Sequence, residues 1–208
     1  MAKGGNFERE IAKLLSLWWS DGERDDIFYR SHASGGRFTM RRKSGKDTAN
    51  QGGDITCSDS IGEPLIKEWS IEIKTGYGTK SDSGIKRWDV LDFLDSQQKS
   101  PVLEKMWEQS KRDAELSKRE PILIFRRNGR SPCIMYRYRY HLKLIDFFAD
   151  YLDYHVVAKT SFNCIMMPLQ KFFEWIPDIR SALCSKPLVL ETSKPIKKVI
   201  LRSTKVST

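Results

Sequence analysis

The segment Ser70–Lys74 contains a carboxylate and an amine at the spacing of one strand face. In Ser-Ile-Glu-Ile-Lys, alternate side chains share a face, so Glu72 and Lys74 project together while the two isoleucines face a core. A second carboxylate, Asp54, directly follows two glycines, which leave room for a ligand to approach the backbone. Two carboxylates from adjacent strands, with a lysine beside them, would suit Mg²⁺ or Mn²⁺ and a phosphodiester.

Taken alone, the Glu-x-Lys pattern has a commoner explanation, a salt bridge on the surface of a sheet. A third carboxylate makes a metal site more plausible, because a helical wheel places Glu8 inside the apolar face of the first helix. A buried carboxylate needs a partner or a metal ion. Glu10 interrupts the same face, so the wheel does not choose between the two glutamates. Both would also be stabilised by the positive end of the helix dipole.

Apolar periodicity predicts the elements that must position these groups. The predicted elements are a helix over 6–20, strands at 27–31, 54–56 and 69–74, a turn at 58–64, helices over about 86–97 and 101–118, strands 121–127 and 133–140 joined at Asn128-Gly129, a helix over about 142–152, a strand pair near 154–167 and a helix over about 168–182. This order lacks the regular alternation of a doubly wound sheet. We therefore expect an α/β (α+β) fold with a mixed sheet flanked by helices.

Positive charge is concentrated in two places. The 208 residues include 36 Lys and Arg against 27 Asp and Glu, a net charge of +9, and both 37–46 and 186–208 have an excess of bases. Such clustering suits contact with a phosphate backbone, although a solvated tail explains 186–208 equally well. The apolar content of 39% is too high for a disordered protein.

Other classes of site find little support. The four cysteines are far apart and the three histidines form no motif, so a zinc site, a disulfide framework and a histidine-based triad are not expected. No apolar run approaches the roughly 20 residues that span a bilayer, and the N-terminal residues do not resemble a signal peptide. These features predict a soluble intracellular protein without membrane contact.

Three motifs, in this order, resemble those of the PD-(D/E)xK nuclease superfamily. They are the Lys3–Glu10 run, Gly53-Asp54-Ile55 and Ile71-Glu-Ile-Lys74. The likeness is to the archaeal-type Holliday-junction resolvases, which begin with a similar Lys-Gly-x-x-x-Glu-Arg-Glu run, and to phage nucleases. The phage-type likeness continues through 107–114 and 121–130, so the resemblance covers roughly residues 3–140.

The resemblance implies a restriction-endonuclease-like core and a metal-dependent endodeoxyribonuclease activity. Asp54 and Glu72 would ligate Mg²⁺, or Mn²⁺ in its place, together with the backbone carbonyl of Ile73. Glu8 would complete the site through water or a second ion. Lys74 would orient the attacking water and stabilise charge, because an ordinary lysine is protonated at neutral pH. No nucleotide cofactor is expected.

The resemblance also implies a DNA-binding stretch after the second predicted element. Arg30, Ser31, Ser34 and Arg37 match that stretch, and the basic residues Arg41, Arg42 and Lys43 that follow are also expected to contact DNA because of their charge. Gln109 is an auxiliary candidate because it lies on an apolar helix face. It would contact a metal-bound water or the DNA, with a satisfied buried amide as the equal alternative.

We expect a single nuclease domain over 1–185, with core motifs in 3–140, an extension over 141–185 and a flexible basic tail over 186–208. The stretches 35–53 and 76–100 are longer than in compact resolvases, which leaves the DNA substrate open. A four-way junction would require a two-fold homodimer, whereas a linear duplex, nick or flap would need only a monomer. The alternative to an enzyme is a catalytically silent DNA-binding protein on the same scaffold. The expected location is the cytoplasm of a prokaryotic cell or of a phage-infected host.

Overall fold

The computed structural model describes residues 3–31, 53–75, 80–81, 84–85, 102–148, 157–159 and 163–185. Its helices are α1 (Lys3–Trp19), α2 (Glu63–Glu68), α3 (Val102–Ser117), α4 (Tyr138–Phe147), α5 (Leu169–Trp175) and α6 (Ile179–Ser185), with a 3-10 turn at Ser60–Gly62. Its strands are β1 (Phe28–Arg30), β2 (Ile55–Cys57), β3 (Trp69–Thr75), β4 (Lys80–Ser81), β5 (Gly84–Ile85), β6 (Glu120–Arg126), β7 (Cys133–Arg137), β8 (Val157–Lys159) and β9 (Cys164–Pro168).

Five of the described strands form one mixed sheet in the order β3-β6-β7-β9-β8. The pair β3–β6 is parallel, and the remaining pairs are antiparallel. Strands β1 and β2 form a separate antiparallel ribbon, and a parallel bridge between Gly53 and Ile71 connects the start of β2 to β3. The mixed sheet flanked by helices is confirmed.

The sheet has two differently covered faces. Ile71 and Ile73 belong to the larger core, which includes the apolar face of α1. Leu123 and Phe125 of β6 pack on the other face, against Leu103 and Trp107 of α3. Glu72 is in register with Leu123, so the side chain of Glu72 projects toward α3. The alternation read from the sequence therefore separates the polar site from the α1 core.

Hydrogen bonds as well as apolar packing hold α1 against β1. The hydroxyl of Ser16 donates to the Ala12 carbonyl at 2.9 Å and accepts from the Phe28 backbone N–H at 2.9 Å. Phe7, Ile11 and Leu15 are buried, each contributing roughly 1.5–3 kcal/mol of transfer free energy. These contacts fix the start of the chain beside the strands that carry the candidate site.

The strand expected over 133–140 is wrong in its last three residues, because β7 ends at Arg137 and α4 begins at Tyr138. Tertiary packing explains the change. The helical turn brings Tyr140 edge-on to Tyr136, and the Tyr140 hydroxyl accepts a hydrogen bond from the Trp69 indole at 2.7 Å. A continued strand would not place these side chains together.

Two other regions differ from the sequence expectations. The turn predicted over 58–64 contains a 3-10 turn and continues into α2. The helix predicted over 168–182 is two helices, α5 and α6, separated by residues 176–178. Pro177 lacks a backbone N–H to continue α5, and Asp178 accepts from the Ser181 N–H at 3.1 Å at the start of α6.

The remaining sequence predictions concern the helix at 86–97, the C-terminal tail, the segment after β3 and membrane contact. The predicted helix 86–97 and the basic tail 186–208 lie outside the described residues. The short strands β4 and β5 pair with each other within the stretch 76–100, which is longer than in compact resolvases. Among the described helices, none combines the length and apolar character needed to cross a membrane.

Candidate active site

The backbone of Asp54 is held between two strands. Its N–H donates to the Ile71 carbonyl at 2.7 Å, and its carbonyl accepts from the Ser31 N–H at 2.7 Å. The preceding Gly53 has φ +97°, and a Cβ at this position would lie 2.6 Å from the Ile71 carbonyl oxygen. Only glycine satisfies both the left-handed backbone and the close approach, so the Gly-Asp motif fixes Asp54 against β3.

The Asp54 carboxylate faces the edge of β3. Its Oδ2 atom accepts a hydrogen bond from the Ile73 N–H at 2.8 Å, and only 8% of the residue is exposed. The N–H and carbonyl of one strand residue point to the same edge, so the Ile73 carbonyl lies on the edge that faces Asp54. A buried carboxylate and a strand carbonyl are thus available on one side of β3.

Glu72 is also almost fully buried and accepts two hydrogen bonds at its Oε1 atom. One comes from the Lys74 amine and the other from the Gln109 amide, whose Nε2 atom lies 3.0 Å away. The pKa of Glu72 is raised to about 7, first by burial and then by the nearby Asp54 charge, whereas Lys74 opposes the rise. The effect of the Asp54 charge on Glu72 and the Asp54–Ile73 hydrogen bond show that the two predicted ligands lie close together.

Helix α3 supplies a second contact to this site. The Gln109 amide donates to Glu72 and also forms a hydrogen bond that lowers the pKa of Asp113, although burial raises that pKa overall. The charge of Asp113 in turn raises the pKa of Glu72. The sequence places Asp113 one helical turn after Gln109, on the same apolar face, but gives it no role in the site.

Glu8 has a different immediate partner. Its carboxylate forms an ion pair with Arg30 of β1, and its side chain is 13% exposed. Glu10 is more exposed and pairs with Arg126 at 2.6 Å. The structure thus separates two glutamates that the helical wheel left equivalent. Glu8 lies in the more buried environment, and its predicted role through water or a second ion stays a prediction.

Across the described segments, no three acidic, histidine or cysteine side chains lie close enough together to hold a metal ion. The arrangement present is therefore two carboxylates, Asp54 and Glu72, with Lys74 and Gln109 beside them. Mg²⁺ commonly takes only one or two protein carboxylates and completes its coordination with water and substrate phosphates. Two carboxylates and a backbone carbonyl match that requirement.

The predicted DNA-binding residues are only partly covered by the structure. The Arg30 side chain is 41% exposed and engaged with Glu8. Ser31 is buried, and its backbone N–H positions Asp54. The remaining five, at positions 34, 37, 41, 42 and 43, lie outside the described residues. Contact of this stretch with DNA stays a prediction.

A protein-family model described as "Phage putative PDDEXK endonuclease" matches residues 1–178. The chain belongs to this family. Comparisons with curated proteins and with solved structures give no match. The match spans α1, Gly53-Asp54, the Glu-x-Lys strand and the helix that carries Gln109.

Membership confirms the resemblance to PD-(D/E)xK and phage nucleases. The mixed sheet with helices on both faces is the restriction-endonuclease-like core expected for this PDDEXK endonuclease family. In that core, Glu72 and Lys74 share one strand and Asp54 lies beside it.

Proposed function

We propose that this family member is a metal-dependent endodeoxyribonuclease that hydrolyses DNA phosphodiester bonds at Asp54, Glu72 and Lys74. The observation that carries the proposal is the hydrogen bond from the Ile73 N–H to the Asp54 carboxylate. This bond joins Asp54 to β3 at Ile73, the residue between Glu72 and Lys74. This contact supports a single site built from the two sequence motifs.

The donor set fits Mg²⁺, with Mn²⁺ as a substitute. Asp54 and Glu72 offer carboxylate oxygens, and Ile73 offers a carbonyl on the same edge of β3. Burial, followed by the Asp54 charge, raises the pKa of Glu72, and a cation between the two carboxylates would offset both penalties. A bound divalent cation would polarise the phosphoryl oxygen and lower the pKa of a bound water.

The protein's own groups would orient the reactants. Lys74 is held by Glu72, so its amine is placed beside the carboxylates, where it would stabilise charge that develops on the phosphate. Gln109 donates to the same Glu72 oxygen and would keep that carboxylate in one orientation. Hydrolysis would be direct, without a covalent enzyme intermediate and without a nucleotide cofactor.

The finer assignments belong to the same proposal. We propose a structure-specific activity on branched DNA, with Glu8 acting through water or a second ion and the 30–43 stretch contacting the phosphate backbone. Cleavage of both strands of a four-way junction would require a homodimer. The proposed location is the cytoplasm of a prokaryotic cell or of a phage-infected host, and the phage family supports the second.

Incubation of supercoiled plasmid with the protein and Mg²⁺ tests the activity, with Asp54→Ala and Lys74→Ala as variants. We expect nicking by the wild type that requires the metal, and a loss of nicking in both variants. Binding of DNA without any cleavage, in Mg²⁺ and in Mn²⁺, would instead support the silent scaffold. A panel of four-way, Y-shaped, nicked and linear DNA then tests the substrate shape.

A further inference from the structure

The β6–β7 hairpin is strongly basic. Arg126, Arg127 and Arg130 fall within five residues, and no acidic residue occurs between positions 121 and 145. Gly129 has φ +68° with open space around its Cβ position, and Arg130 is exposed. The tip of this hairpin therefore presents Arg130 toward solvent on a tight turn, with Arg127 half-buried beside it.

The register places this turn beside the candidate active site. Strands β3 and β6 are parallel, and Arg126 is paired with Thr75, the residue after Lys74. Both strands run toward the same edge of the sheet, and the hairpin continues beyond it. With a rise of roughly 3.3 Å per residue and a strand spacing of about 4.8 Å, the Arg127 backbone lies about 8 Å from that of Lys74.

Arg127 lies on the same face of the sheet as the site. Its charge lowers the pKa of the Cys133 thiol, which burial raises, and Cys133 packs against the cluster that contains Leu123 and Phe125. This is the face toward which Glu72 projects. Arg127 is thus near the reacting groups both along the strand and across the sheet.

The base of the hairpin is anchored by its first arginine. The Arg126 guanidinium lies 4.0 Å from the centre of the Phe7 ring and pairs with Glu10 at 2.6 Å. These contacts connect the hairpin to α1. Arg126 therefore has a structural role at the base of the hairpin, and Arg127 and Arg130 lie nearer its tip.

We propose that the tip of the β6–β7 hairpin, through Arg127 and Arg130, binds backbone phosphates of DNA next to the phosphate that enters the active site. A guanidinium donates two parallel hydrogen bonds to phosphate oxygens, and its charge releases condensed counterions. The inference rests on the proposed function in taking DNA as the ligand.

Fluorescence anisotropy of labelled duplex and four-way DNA tests the surface. All proteins would carry Asp54→Asn and be measured in EDTA, so that binding is separated from cleavage. The test protein adds Arg127→Ala and Arg130→Ala. The matched control adds Arg139→Ala and Arg180→Ala, which remove the same charge from exposed positions. Arg139 lies near Glu120 at the opposite end of β6, and Arg180 is on α6, which packs against α2 just before β3.

For the hairpin variant we expect about tenfold weaker binding, and a slope of log K against log salt reduced by about 1.8. The control should keep the parent affinity within about twofold, and Arg127→Lys with Arg130→Lys should recover most of the binding because the charge is retained. Equal thermal melting of all variants excludes a folding defect.

Unchanged affinity and salt slope in the hairpin variant, or an equal loss in the control, would overturn the inference. An absence of binding by the parent protein would also overturn it. Plasmid cleavage by the wild type is scored separately. Cleavage without a hairpin effect rejects only the inference, whereas a hairpin effect without cleavage rejects only the proposed hydrolysis.

Discussion

Two glutamates on the neighbouring parallel strands β3 and β6 are both buried and both have a raised pKa. Glu72 is 7% exposed and Glu120 is 5% exposed, and burial raises the pKa of each to about 7. Glu120 is in register with Trp69, three residues before Glu72, so the two groups lie about 10 Å apart along the sheet. Burial and pKa therefore do not distinguish them.

Their neighbours do distinguish them. Glu72 faces two other carboxylates, Asp54 and Asp113, which raise its pKa, and Lys74 is the base that opposes them. Glu120 faces Arg137 at 3.5 Å, and the charges of Arg137 and Arg139 lower its pKa. The surplus of negative charge around Glu72 is one that a bound cation would offset. The guanidinium groups around Glu120 already balance its charge, which indicates a structural ion pair.

The largest expected effect is the difference in cleavage between Glu72→Gln and Glu120→Gln. Loss of a metal-ligand charge should lower plasmid nicking by about 10³-fold, and Glu120→Gln should stay within about threefold of the wild type. Initial nicking rates in Mg²⁺ measure both. Comparable losses in the two variants would mean that the site has been assigned to the wrong glutamate or that it includes both.

Lys74→Ala should lower the nicking rate by about 10²-fold, because charge stabilisation beside the phosphate is removed while both carboxylates remain. The control is Lys171→Ala, an exposed lysine paired with Glu174 on α5. Retention of the full rate by Lys74→Ala would show that the amine only neutralises Glu72.

Glu120 should make the protein less stable at alkaline than at acidic pH. Its folded pKa of about 7 lies above the ordinary value of 4.5, so its carboxyl ionises first in the unfolded chain. The free energy of unfolding therefore falls as pH rises from about 4.5 to 7 and then levels off, by about 2–3 kcal/mol for this group. Glu120→Gln should remove that part of the decline.

Urea unfolding of the wild type and Glu120→Gln at about pH 5 and pH 8 measures this effect. The comparison between the two proteins isolates Glu120 from Glu72, which titrates in both. An identical decline in the two proteins would contradict the assigned pKa.

Gln109→Ala should reduce nicking by about tenfold, the smallest of these effects, because it removes one hydrogen bond that orients Glu72. The exposed neighbour Lys105→Ala on α3 serves as the control. A wild-type rate in Gln109→Ala would favour the reading of this residue as a satisfied buried amide.

Local patterns predicted much of the fold. The apolar spacing of 6–20 marked α1, and Asn128-Gly129 marked the turn of the β6–β7 hairpin. The same reasoning extended β7 through Tyr140, where alternation of tyrosine and arginine imitates a strand. Burial of Tyr140 against Tyr136 and Trp69 overrides that alternation, and no local pattern reports such a contact.

The sequence by itself determined that Glu72 and Lys74 share a face, because strand alternation acts over two residues. Only the tertiary structure decided that Asp54 bonds to the Ile73 backbone, that Gln109 reaches Glu72, and that Glu8 rather than Glu10 pairs with Arg30. These contacts join residues at least 19 positions apart, with Asp54 and Ile73 the nearest pair. They depend on strand pairing and helix packing that form when the whole chain buries its apolar surface.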